Sequence, residues 1–156
     1  MTDILKSFKQ LDFIFISVLA AQILLALVFY ILIDMGITNF SLLKFEYLPL
    51  VVLFINTSVI LLAKYLFTSR IKIDAKLQLA DKIGKYRNLS ILIIALLDFA
   101  NIINIVIFFL TGAQVYLLVA LLLLILYIAY RPSKLKFADT SLSNEEKHKL
   151  FPKQLD

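Results

Sequence analysis

Long apolar runs separated by short clusters of charge set the plan of this chain. A helix crossing a hydrocarbon core of about 30 Å needs roughly 20 predominantly apolar residues, and four stretches approach that length. Phe13 to Ile33 carries no charge between Asp12 and Asp34. Leu48 to Thr68 carries only Lys64, one turn from its end, where a long side chain snorkels to the head groups. Pro49 falls in the first turn of that run, where a missing N–H costs nothing. Leu89 to Thr111 has a single charge, Asp98, near its middle, and Ala113 to Tyr130 has none before Arg131 and Pro132 stop it. The pattern predicts an all-α fold: an integral membrane bundle of four transmembrane helices, paired as two antiparallel hairpins over residues 13–130. A tight turn at Thr111 and Gly112 joins the last two spans.

Positive residues in short loops are retained on the cytoplasmic side. Lys6 and Lys9 precede the first span; Arg70, Lys72, Lys76, Lys82, Lys85 and Arg87 crowd the connection at 69–88; Arg131 begins a lysine-rich tail over 131–156. Of the 16 basic residues, only Lys44 falls in an outer loop, so both the N- and C-termini are expected to be cytoplasmic. The basic start followed by an apolar run has the layout of a signal peptide, but the run exceeds the usual apolar region of about 7–15 residues and lacks a small-residue cleavage site. It reads as a retained helix. The halves share a loose plan, each opening with a helix that carries a mid-membrane polar group, Gln22 or Asp98, and closing in an aromatic and basic boundary.

Two segments belong to the membrane surface. In the connection, Ile73, Leu77, Ala80 and Gly84 follow helical spacing and Asp81 stands four residues before Lys85. An inward extension of the second helix, or a short interfacial helix, is expected there, with its cations toward anionic lipid or a docking partner. In the tail, Ser143 precedes Glu146 by three residues, the spacing of a capping box, so a two-turn helix is expected from Asn144 to Phe151, ended by Pro152. His148, the chain's one histidine, stands there among lysines as a solvated residue. Tyr47, Tyr65, Tyr116, Tyr127 and Tyr130 fall near span ends, where a ring with a polar tip suits the interface.

The polar residues inside the spans hold the candidate chemistry. An ionisable side chain at mid-bilayer costs about 2.5–3.5 kcal/mol on the translocon scale, so it normally faces protein or water. Asp98 is that residue. With each residue turning the helix by roughly 100°, Ser90, Asn101 and Asn104 share one arc of about 120° with Asp98. Gln22 and Asn56 lie near the middle of their own spans, with Thr57 and Ser58 beside Asn56. A bundle turning these groups inward would let Gln22, Asn56 and Asn101 donate to the Asp98 carboxylate or accept from its protonated form. As glue, each contact is worth on the order of 0.6–2 kcal/mol, with Asp98 kept protonated by its apolar surroundings. As an ion site, Asp98 would need a route to water.

Composition agrees with the pattern: 62% hydrophobic, 17% charged, mean hydropathy +0.93, against about 45–50% and about 25% in soluble domains. No cysteine excludes disulfides and thiolate metal or iron–sulfur sites, and no histidine inside a span excludes a bis-histidine haem. There is no phosphate loop and no nucleophile elbow, and Ser17, Ser58 and Ser90 have no histidine to activate them. No enzymatic activity, cofactor or metal is expected. The pI of 9.4 and net charge of +5 do not point to nucleic acid, since topology explains the cations. "RNLSILIIALLDFANI" is superficially similar to the ion-binding helix of proteolipid rotor subunits, but those pack through glycine-rich helices with termini outside, and no span here contains glycine. The expected role is an accessory subunit, assembly factor or scaffold of a larger membrane complex, contacting lipids and other membrane subunits or copies of itself through the polar stripe or the basic surface. The alternative is a proton or cation channel or transporter subunit using Asp98. Compact loops and the lack of a transit-like leader favour the bacterial inner membrane.

Overall fold

The computed structural model describes residues 2–37, 46–70 and 77–142, and every regular element among them is helical. In chain order these are α1 (Thr2–Asp34), α2 (Leu48–Tyr65) continued by a π-helical turn over Leu66–Arg70, α3 (Leu79–Thr111), α4 (Gln114–Ala129) and α5 (Lys134–Ser141). Three stretches, Lys6–Asp34, Leu48–Thr68 and Leu79–Thr111, are apolar and long enough to cross a membrane. The fourth, α4, is equally apolar but shorter, at 16 residues.

Two helices start earlier than the apolar pattern alone implies. The N-terminal segment joins α1 because the buried stripe continues through Phe8, Leu11 and Phe15, at spacings of three and four residues. In α3 the buried stripe begins at Lys82 and Tyr86 and runs on through Ser90, Ile93 and Leu97. The helical half of the inner connection is therefore the N-terminal extension of α3; among the described residues the second helix is extended inward by the π turn Leu66–Arg70. Lys72 and Lys76 lie outside the described residues.

Helix α3 is the shared partner of the bundle. Its sides pack against α1, α2 and α4, and its start meets α5, whereas α1 and α2 make their extensive contacts with α3 rather than with each other. The expected first hairpin is thus replaced by packing around α3, the helix with most polar groups to satisfy. The turn into α4 is as tight as expected: Gly112 takes φ +66, a left-handed conformation that glycine adopts without steric cost, and its N–H reaches Phe108 O at 2.8 Å. Thr111 Oγ1 donates to Ile107 O at 2.7 Å and accepts from the Ala113 N–H.

Helix α5 is absent from the hydropathy pattern. Its N-cap is Ser133, whose hydroxyl accepts from the Lys136 N–H at 3.2 Å, and its anchor is the fully buried Phe137. Phe137 sits edge-on to Phe8 of α1 and Tyr86 of α3, with centroids 5.6 and 5.2 Å away. The Tyr86 hydroxyl donates to Ser133 O and accepts from the Ser133 N–H, each at 3.3 Å. Lys136 Nζ closes the end of α4 by donating to Ala129 O at 2.6 Å and Arg131 O at 3.0 Å. The helix expected from Asn144 to Phe151, with His148, lies outside the described residues.

Candidate functional site

The polar stripe of α3 faces into the bundle and is divided between two neighbours. Gln22 of α1 bridges two of its members: Nε2 donates to Asp98 Oδ1 at 2.5 Å, and Oε1 accepts from Asn101 Nδ2 at 2.8 Å. Asn56 of α2 takes the third. Asn56 and Asn104 exchange both amide bonds, at 3.2 and 2.9 Å, and Asn104 Nδ2 also reaches Ala100 O one turn back. Gln22, Asn56, Asn101 and Asn104 are all buried, and Asp98 is half-buried.

This arrangement corrects one expectation and refines another. Asn56 does not reach Asp98: it stands opposite Asn104, six residues further along α3, because the offset of α2 on α3 sets which amides meet. Most amide groups of the stripe are bonded to α1 and α2. One atom is left over. Asn101 Oδ1 is buried without a hydrogen-bond partner among the described residues.

The tyrosines divide similarly. Tyr47 and Tyr65 are exposed. Tyr127 and Tyr116 are buried in the bundle; Tyr127 stacks on Phe15 at 4.6 Å and donates to the Phe15 carbonyl at 3.2 Å. A tyrosine near a span end has two ways to satisfy its hydroxyl, head groups or a neighbouring helix, and sequence position does not choose between them.

Of the cations expected at the inner surface, Lys85 is exposed and Arg87 partly so. Lys82 is the correction: it is 0% exposed, on the buried stripe of α3, and cannot meet a lipid. Arg131 pairs with Asp12 of α1 at 3.2 Å, tying the end of α4 to the start of the first span. Both partners are about half exposed, so this tie is worth at most about 1 kcal/mol. Beyond the spans, burial lowers the Lys136 amine. Among the described residues, no group of three His, Cys, Asp or Glu is placed to hold a metal ion.

Clefts open between the helices among the described residues. One, of roughly 560 Å³, lies between α2 and α4, with walls that include Val52, Ile60, Val119 and Leu122 and with Asn56 and Thr57 on its α2 side. Another, also roughly 560 Å³, lies between the first turns of α1, from Lys6 to Ile14, and Arg87, Asn88 and Ile91 of α3. Comparison of the chain with protein-family models, curated proteins and solved structures finds no match.

Proposed function

We propose that the chain is an integral membrane protein with four spans and both termini in the cytoplasm, and that it serves, without catalysis of its own, as an accessory subunit, assembly factor or scaffold of a larger membrane complex. The lopsided distribution of cations supports the orientation, and the bacterial cytoplasmic membrane is the location the compact loops fit best. The observation that carries the subunit role is the cleft between α2 and α4. Its α2 wall extends from Pro49 to Ile60, about 17 Å of helix at 1.5 Å per residue, and Thr57 is exposed along it. Small polar residues are enriched where membrane helices meet. The occupant is therefore a transmembrane helix of a partner subunit.

A photo-crosslinking residue at Leu122, in this cleft, tests the reading against one at Leu24 of α1, equally exposed at 65%. A discrete polypeptide adduct is expected from Leu122 and none from Leu24, with Thr57→Val weakening the first. Lipid adducts alone from both positions would contradict it.

A second reading, handling of a proton or cation at Asp98, is favoured by the unpartnered Asn101 Oδ1 close to a half-buried carboxylate. It predicts ion flux in liposomes that Asp98→Asn abolishes while the bundle stays folded; equal flux in both proteins, or none in either, would dismiss it.

A further inference from the structure

The cleft between α1 and α3 gathers cations that topology alone does not bring together. Lys6 and Lys9 are exposed on α1, one turn apart, and Arg87 comes from α3, 78 positions after Lys9, so only the packing of the two helices makes them neighbours. Gln10 and Asn88 add amide donors, and among the described residues no Asp or Glu lines the cleft. Asp12, three residues after Lys9, pairs instead with Arg131. Toward the spans the cleft becomes apolar, walled by Phe13, Ile14 and Ile91; Phe13 is 74% exposed.

We infer that this cleft binds one anionic phospholipid, its phosphate held by Lys6, Lys9 and Arg87 and one acyl chain lying along Phe13, Ile14 and Ile91. Three like charges around one cleft repel one another until an anion joins them, and Arg presents a planar donor fork that suits phosphate oxygens. The polar end sits at the border of the apolar runs, where a head group would lie, and the apolar end runs toward the bilayer centre. A soluble phosphate would use the cations and leave the apolar wall empty; an acidic peptide would also need polar surface where Phe13 stands. The inference rests on membrane insertion but not on the subunit role, and detergent-free extraction of the chain would fail the former independently.

The test is native mass spectrometry of the full purified chain, titrated with phosphatidylglycerol or with phosphatidylcholine of the same acyl chains. A single retained phosphatidylglycerol is expected, preferred over phosphatidylcholine. Lys9→Gln and Arg87→Gln should each weaken it roughly fivefold, the scale of one cation near an anionic lipid surface, while Lys85→Gln, equal in charge but outside the cleft, should leave it unchanged. Helix content by circular dichroism confirms that each variant is folded. Equal weakening by Lys85→Gln would reduce the effect to bulk charge and overturn the site. So would the absence of a preference between the two lipids, or full displacement by equimolar glycerol phosphate, which has the anion without the chain.

Discussion

Gln22 carries both hydrogen bonds between α1 and the polar stripe of α3, one through each end of its amide. Replacing it with leucine leaves Asp98 and Asn101 facing an apolar side chain, and an unsatisfied buried polar group costs about 1–3 kcal/mol. Gln22→Leu should therefore lower the thermal unfolding temperature in detergent markedly, whereas Asp98→Asn, which still offers Gln22 an acceptor, should shift it little. Asn56 and Asn104 give a cleaner number because they bond each other reciprocally. A double-mutant cycle with Asn56→Leu and Asn104→Leu should return a coupling on the order of 0.6–2 kcal/mol; additive effects would show that the pair contributes nothing. The face that Asp98, Asn101 and Asn104 share on α3 was legible in the sequence, because helical periodicity is a local property. Their pairing was not. Whether Asn56 meets Asp98 or Asn104 depends on how far α2 is displaced along α3, which many apolar contacts decide together.

At the scale of elements, α5 shows a helix made by docking rather than by pattern. Lys134–Ser141 is weakly apolar as a whole, and a short isolated helix is marginal in water, yet Phe137 is completely buried between Phe8 and Tyr86. The sequence did contain one cue, Ser133 directly after Pro132, a helix N-cap that charge counting in the tail passes over. Phe137→Ala should release α5, seen as faster proteolysis after Arg131 with the transmembrane helices intact; core Phe→Ala changes cost about 3–5 kcal/mol, more than so short a helix can lose. Lys136 makes the same docking sensitive to pH. Burial lowers its amine below the usual lysine value of 10.5 in the folded chain, so folding releases a proton. Its contribution is complete above about pH 10.5 and is lost as pH falls through the lowered value. Lys136→Met should flatten that part of the stability profile, and a variant with the wild-type pH dependence would contradict the role given to the amine.

The whole molecule is organised around α3, with α1, α2 and α4 on its sides and α5 under its start. Phe8, Tyr86 and Phe137 join the beginnings of α1 and α3 to the segment after α4, so the N-terminal segment, the inner connection and the start of the tail meet at one end. That is the arrangement the charges imply, and single cysteines introduced at Lys9, Lys85 and Lys134 should all be labelled by membrane-impermeant reagents from the same side. The long apolar helices and the tight turn at Gly112 were readable because length, hydropathy and a lone glycine are local signals. The choice of α3 as hub and the cleft left between α2 and α4 were not, since both depend on which faces meet. The subunit role rests on that cleft, and the measurement that tests it most directly is the native mass of the protein, extracted gently from its own membrane, for the wild type beside Val119→Trp. The account predicts a wild-type mass that includes another polypeptide and a variant, its cleft filled, that has lost it. A wild-type protein that leaves its membrane as a clean monomer, or a partner retained undiminished by Val119→Trp, would contradict it.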